Sequence, residues 1–260
     1  MSWASRRRFL YASGVTLFFL AVIGGPISYW YFSIPATCFD GVQNQDETGV
    51  DVGGSCPILD PGTLQQATLI WSRAFKVRDG TYTAAAYVEN PNKDAGVEAV
   101  PYHFGLYDAY NVLIAERRGL MFIMPGSITP VVESRIDVGS RTVSHTYFNF
   151  SAPLVWRRMQ NTALGLSISN KQLTDVDTQP RLTAIAVNSS VADVVNPSFV
   201  AAIFDPAGNV FAVSHTRLDR IEAGKSAQII FTWPGAFGIQ VGRSDIIPIV
   251  APADAPAAIR

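Results

Sequence analysis

Five oxygen-bearing side chains, Asp40, Asn44, Asp46, Glu47 and Asp51, fall within a Gly-rich stretch bounded by Cys38 and Cys56. Carboxylate and amide oxygens are hard ligands of the kind Ca²⁺ prefers. Measured against an EF-hand loop the spacing fails, because Val42 stands where a third-position ligand belongs and Gln45 replaces the turn glycine. Two readings stand side by side: a Ca²⁺ site built from these five residues, and a solvated spacer closed by its cysteines. Closing such a loop with a disulfide contributes on the order of 3 kcal/mol in the chain-entropy picture. A segment this polar has no core of its own and needs that constraint.

Elsewhere the chain offers little that moves a proton or holds a phosphate. Its three histidines are His103, beside Phe104, His145 in Ser144-His-Thr, and His215 in Ser214-His-Thr. None of these contexts resembles a nucleophile elbow or a pair of metal ligands. All three read as sheet-surface residues. Glu89, Glu98, Glu116, Glu133 and Glu222 are scattered, with no spacing that would set two carboxylates on opposite sides of a sugar ring. The expectation is a chain without catalytic residues, not an enzyme, whose binding residues the sequence does not assign. Asp108 and Asp205 recur at matching places, which suits turn residues of a repeat better than a shared ligand site. Tyr107 and Tyr110 offer a carbohydrate-stacking patch only if the fold exposes them together.

The segment Phe9 to Phe32, FLYASGVTLFFLAVIGGPISYWYF, contains no charge and follows Arg6-Arg7-Arg8. Crossing a bilayer core as a helix takes roughly 20 mainly apolar residues. Basic residues stay on the cytoplasmic side, and Tyr29, Trp30 and Tyr31 suit the aromatic belt at the other interface. The apolar run also exceeds the roughly 7 to 15 residues of a cleavable signal. The expected arrangement is a cytoplasmic tail over residues 1–8, a single-pass signal anchor over 9–32, and an extracytoplasmic remainder. The chain carries 20 Lys+Arg and 21 Asp+Glu; setting aside Arg6, Arg7 and Arg8 leaves 17 against 21, a net charge of −4. That balance gives no footprint for nucleic acid. Both cysteines fall outside the membrane, where a disulfide persists.

From Gln66 onward the chain repeats itself. Tyr82-Thr-Ala-Ala-Ala-Tyr-Val-Glu-Asn90, Val100-Pro-Tyr-His-Phe-Gly-Leu-Tyr-Asp108 and Phe122-Ile-Met-Pro-Gly126 are answered by Arg181-Leu-Thr-Ala-Ile-Ala-Val-Asn188, Ser198-Phe-Val-Ala-Ala-Ile-Phe-Asp205 and Ile221-Glu-Ala-Gly224. Asn90 aligns with Asn188, Asp108 with Asp205 and Gly126 with Gly224, at intervals that agree to within one residue. Tyr102, Phe104 and Leu106 alternate with His103, Gly105 and Tyr107 at the period of two that turns one set toward a core. Turn residues follow each run. Short strands at regular spacing predict an all-β chain of two tandem immunoglobulin-like β-sandwich domains behind the N-terminal transmembrane helix. The domains span residues 66–152 and 153–240, after a disulfide-closed acidic linker over 33–65. Phe148, Phe150, Phe231 and Trp233 are expected as final-strand core residues, and Trp156 either at the junction or in a strand. Residues 241–260, rich in Ala and Pro toward their end, read as a flexible tail.

Two resemblances accompany these residues. The loop resembles a cysteine-rich motif of extracellular proteins, Cys-x-Asp-Gly-x-x-Asn-x-x-Glu-x-x-x-Asp-Cys-Gly-Gly-x-Cys-x-x-Cys, matched by Cys38, Asp40, Gly41, Asn44, Glu47, Asp51, Gly53, Gly54 and Cys56. Val52 and Leu59 replace its other two cysteines, which implies that Cys38 pairs with Cys56. Phe104-Gly105-Leu106-Tyr107-Asp108 spells the signature of the FxLyD family, and Val88-Glu89-Asn90 is similar to that family's preceding strand. The second copy keeps Asp205 but has Ala201 in place of the leading Phe. The FxLyD likeness implies an immunoglobulin-like sandwich of bacterial envelope proteins. Together these features lead to the expectation of a membrane-anchored structural or interaction protein that contacts other envelope proteins. The alternative is a surface module binding a glycan, or a ligand through Ca²⁺.

Overall fold

A computed structural model of the chain describes residues 3–33, 38–44 and 46–252, in two units, Met1–Asp60 and Pro61–Arg260. The first unit opens with helix α1 (Trp3–Phe19), a π-helical turn (Leu20–Gly24) and helix α2 (Gly25–Ser33). The wide turn sits just before Pro26, which has no N–H and whose ring crowds the carbonyl four residues back. Thr16 donates its hydroxyl to the Ala12 carbonyl at 2.9 Å, and Ser13 to Phe9, so these polar groups are satisfied within the helix. Arg7–Tyr29 is long and apolar enough to cross a membrane.

The second unit is built of strands: β1 (Thr68–Arg78), β2 (Thr81–Asn90), β3 (Ala95–Tyr107), β4 (Leu113–Ile123), β5 (Ser127–Asp137), β6 (His145–Phe150) and the short β7 (Arg157–Arg158). Next come β8 (Leu166–Thr174), β9 (Arg181–Asn188), β10 (Val194–Val195), β11 (Ser198–Phe204), β12 (Val210–Arg217), β13 (Arg220–Ile221), β14 (Ser226–Thr232) and β15 (Arg243–Ile249). In the first sandwich, sheet β1-β2-β5 faces sheet β4-β3-β6; in the second, β8-β9-β14 faces β12-β11-β15. All pairs are antiparallel. The repeat in the sequence is thus a repeat in topology, with β1, β2, β3, β4, β5 and β6 answered by β8, β9, β11, β12, β14 and β15.

Alternation fills each core. Tyr102, Phe104 and Leu106 of β3 meet Phe148 of β6 and Ala84, Ala86 and Val88 of β2. Phe199, Ala201 and Ile203 of β11 meet Leu182, Ala184 and Ala186 of β9, with Ile229 and Phe231 of β14. A buried asparagine ends the second long strand of each copy. Asn90 donates to the carbonyls of Ala95 and Met124 at 2.7 and 3.0 Å; Asn188 donates to those of Ala192 and Ile221 at 2.9 and 3.0 Å. Each amide ties the end of its strand to carbonyls of two neighbouring segments.

A third apolar cluster joins the sandwiches. Ala85 and Tyr87, on the outer face of β2, pack with Val200, Ala202 and Phe204 of β11 and with Val210 and Val213, while Trp71, Phe75, Val132, Ile247 and Ile249 close around them. β1 lies against β12 and β5 against β15. The ring of Trp71 sits 4.3 Å from that of Tyr87, and Arg73 Nη1 donates to the Val210 carbonyl at 3.0 Å. Sheet β1-β2-β5 is therefore covered on both faces, as is β12-β11-β15, and the unit is a stack of four sheets. The buried Tyr87 hydroxyl has no hydrogen-bond partner in this interface.

Two expectations are corrected. Residues 241–260 do not form a tail throughout: Arg243–Ile249 is β15, paired with β11 from Ser198↔Ile249 to Phe204↔Arg243. Pro248 fits there because β15 is an edge strand, where a missing N–H can face outward. Residues 253–260 of that segment lie outside the described residues. Consequently Phe231 belongs to β14 and Trp233 comes just after it, so neither is in the final strand. Trp156 packs with Leu154 on the core of the first sandwich, and β7 pairs with Ala95 and Gly96 of β3.

If the sheet-on-sheet cluster couples the sandwiches, the intact protein unfolds in one calorimetric transition, and Ala202→Glu, which buries an unpaired charge there, splits it into two. Tyr87→Phe removes an unsatisfied hydroxyl and is expected to stabilise by about 1 kcal/mol. A loss of similar size would show that this hydroxyl is bonded.

Candidate functional site

The loop between the cysteines is held by its own acids. Cys38 and Cys56 form a disulfide with Cα atoms 5.3 Å apart. Asp51 Oδ1 accepts the N–H groups of Asp40 and Gly41 at 3.0 and 3.1 Å, and Asp40 Oδ1 accepts that of Val42 at 3.0 Å. Asn44 donates its amide to Asp40 Oδ2 at 3.1 Å, and Glu47 Oε2 accepts the N–H groups of Asn44 and Asp51 at 3.2 and 3.3 Å. Asp46 turns aside and accepts the Ser55 hydroxyl at 2.9 Å. Gly54 is required because a Cβ there, at φ +51°, would collide with the Asp46 carbonyl.

Four of the five candidate ligands, Asp40, Asn44, Glu47 and Asp51, thus belong to one network. The carboxylate oxygens of Asp40, Glu47 and Asp51 are engaged as acceptors for the loop's own N–H groups, and Asn44 is a donor to Asp40. Among the described residues, the one cluster of three metal-type side chains is Cys38, Glu47 and Cys56, and both of its sulfurs are in the disulfide. The geometry makes these acids the organisers of a turn-rich loop, and a Ca²⁺ ion would have to compete for the same oxygens.

Asp108 and Asp205 perform one job twice. Asp108 Oδ1 accepts from the backbone of Tyr110 and Val112, both at 2.9 Å, and Arg141 Nη2 pairs with its other oxygen at 2.6 Å. Asp205 Oδ1 accepts from the backbone of Asn209 at 2.7 Å. The Val112 N–H in the first case and the Asn209 N–H in the second hold the carboxyls below the usual carboxylate range, against partial desolvation. Both close the hairpins that follow β3 and β11. The FxLyD-like segment gains a physical account: Phe104 and Leu106 enter the core, Asp108 caps the turn, and Tyr107 points outward.

The outer face of β4-β3-β6 gathers side chains far apart in sequence. Pairing sets Tyr107 opposite His145, Gly105 opposite Tyr147 and His103 opposite Asn149. The rings of Tyr107 and Tyr147 meet edge to face at 5.3 Å. A Cβ on Gly105 would come within 2.7 Å of the Tyr107 ring, so glycine makes room for it. Arg118 pairs with Glu116 on the same sheet. Beside this face runs a groove of about 390 Å³ between β1 and β6, lined by Ser72, Arg73, Ser144, His145 and Tyr147 among others. Tyr110, at the hairpin tip, is exposed, but the ring that partners Tyr107 is Tyr147. The sequence carried one signal for it, the alternation of exposed and buried residues in His145-Thr-Tyr-Phe-Asn-Phe150.

His103 and His145 therefore share one face, whereas His215, on β12, lies beside Ser134 of β5, with Nδ1 3.5 Å from its hydroxyl. Burial pushes the His215 imidazole below its usual range, Arg135 adds to this and Glu133 opposes it. A second hollow, of about 910 Å³, opens at the second sandwich against Asp175, Arg181 and Trp233.

No protein-family model matches the chain, and no curated protein is similar to it. Solved structures that resemble part of it include a red sea bream transglutaminase, at 12% identity over 72% of this chain and 31% of that one, with a TM-score of 0.26. Another is a beta-glucuronidase of Bacteroides uniformis, at 12% identity over 67% of this chain and 22% of that one, with a TM-score of 0.18. The chain spans less than a third of the length of either, and likeness at this level assigns nothing.

Two measurements test these sites. For Asp108 and Asp205 the folded pKa lies below the unfolded value of about 3.9, so their stabilisation is present above that pH and lost as pH falls through the folded pKa. Asp205→Asn is expected to flatten the fall of Tm between about pH 5 and pH 3; an unchanged slope would mean that this carboxyl carries none of it. In the loop, reduction of the disulfide is expected to abolish amide-exchange protection over residues 38–56, while millimolar Ca²⁺ leaves protection unchanged. Protection that rises with Ca²⁺ and reverts in Asp51→Ala would instead assign the acids to a metal.

Proposed function

We propose that this chain is a membrane-anchored, extracytoplasmic structural and interaction protein that presents two sandwiches for contacts with other proteins of the cell envelope. The observation that carries the reading is the fusion of the sandwiches into one four-sheet unit by apolar residues, in a chain that also carries a helix apolar enough to span a membrane. An interaction module needs rigid surfaces, and two-sided burial of the central strands supplies them. The basic run Arg6-Arg7-Arg8 ahead of the apolar segment supports a cytoplasmic N-terminus. The disulfide supports an oxidising compartment for the residues beyond the helix. The likeness of residues 104–108 to the FxLyD signature supports an envelope setting.

The test has two arms. Protease added to cells stripped of any layer outside the anchoring membrane is expected to remove the sandwiches and spare the anchor. Crosslinking in membranes is expected to give a set of partner proteins that disappears when residues 61–260 are deleted and the anchor retained. Sandwiches still protected in cells so stripped, or a partner set unchanged by the deletion, would overturn the reading.

A further inference from the structure

We propose that the outer face of sheet β4-β3-β6 around Tyr107 and Tyr147, with the groove beside it, is a saccharide-binding site. Such a site goes beyond the role in protein contacts and stands on different residues.

The first observation comes from the repeat. The equivalent face of the second sandwich is the one buried against the first, and there Val200, Ala202 and Phe204 occupy the places of His103, Gly105 and Tyr107. The same backbone platform thus carries apolar residues where it meets another sheet, and aromatic and hydrogen-bonding residues where it meets solvent. A second apolar sheet would leave the imidazole of His103 and the amide of Asn149 without partners, at a cost in desolvation. A pyranose ring suits the platform better, because one face of the ring presents C–H groups to an aromatic side chain while its rim presents hydroxyls.

The second observation is the placement of those groups. Tyr147 is 53% exposed and in edge-to-face contact with Tyr107, so the pair forms an aromatic corner open to solvent. His145 and Tyr147 belong both to this corner and to the groove of about 390 Å³, a volume within the range of small-ligand sites. Ser72, Arg73 and Ser144 also line the groove. Ser72 donates to the Thr146 carbonyl at 2.9 Å, which leaves its oxygen free to accept a sugar hydroxyl's proton. The Arg73 guanidinium is turned to the Val210 carbonyl of the second sandwich, so the groove takes the rest of that residue.

The experiment uses the full chain in micelles of a detergent without a sugar headgroup, and immobilised oligosaccharides of neutral hexoses, N-acetylhexosamines and hexuronates as probes. At least one probe is expected to be retained. Tyr147→Ala, a surface change, should weaken retention about tenfold or more, and Tyr147→Phe should keep it within about threefold because the ring remains. Circular dichroism of each variant shows whether the fold is intact. The proposal is overturned if no probe is retained, or if an intact Tyr147→Ala retains the probes as the unaltered chain does. It is equally overturned if the face captures a protein, dependent on Tyr147, while holding no saccharide. Deleting residues 61–260 and tracking the crosslinked partners reports on the protein-contact role separately, so either reading can fail without the other.

Discussion

Burial of β2 and β11 on both faces is the constraint from which the rest of the structure follows. A sheet in a simple sandwich has one wet face, and its strands alternate. Here Ala84, Ala86 and Val88 fill a core while Ala85 and Tyr87 press against the second sandwich, and on the other side Phe199, Ala201 and Ile203 are answered outward by Val200, Ala202 and Phe204. Small alanines at the centre of both strands let the sheets approach, and the large rings of Trp71, Tyr87 and Phe204 close the margins. Strands covered on both faces lose the alternation that marks a half-buried strand and become continuous apolar runs.

This interface is heterologous, since the β1-β2-β5 sheet of one copy meets the β12-β11-β15 sheet of the other, which are not equivalent in the repeat. Contacts of that kind propagate unless their ends are changed. Both ends are changed. On the free face of the second sandwich, Thr183 and Arg181 stand where the first has Ala85 and Thr83, and on the free face of the first, His103 and Tyr107 stand where the second has Val200 and Phe204. The stack therefore stops at two, and the divergence that stops it creates the surface on which the ligand inference rests. What the copies keep is polar and structural: Asn90 and Asn188 tie strand ends to loops, and Asp108 and Asp205 close hairpins.

Much of this could be read in the sequence. The runs Thr83-Ala-Ala-Ala-Tyr-Val88 and Phe199-Val-Ala-Ala-Ile-Phe204 are unbroken by charge, and their continuity was the available sign of two-sided burial. Alternation in Tyr102-His-Phe-Gly-Leu-Tyr107 gives the core face correctly, with Phe104 and Leu106 fully buried. β15 was hidden because Gly242 precedes it and Pro248 lies within it, and both are read as breakers, although an edge strand tolerates proline. The acids between the cysteines look alike in the sequence, and nothing in their spacing separates a metal ligand from a turn acceptor.

The sequence by itself determined the apolar helix, the two copies, the strands within them and the cysteines that close the loop, because each is written in local periodicity or in a match of spacing. Only the tertiary structure decided which oxygens of Asp40, Glu47 and Asp51 turn inward to backbone N–H groups, that the two sandwiches share an apolar interface, and that Tyr147 reaches the ring of Tyr107. The physical reason is the same in each case. Periodicity tells a side chain which face of its own strand it occupies, but what covers that face is set by chain segments tens of residues away, brought there by the packing of whole sheets.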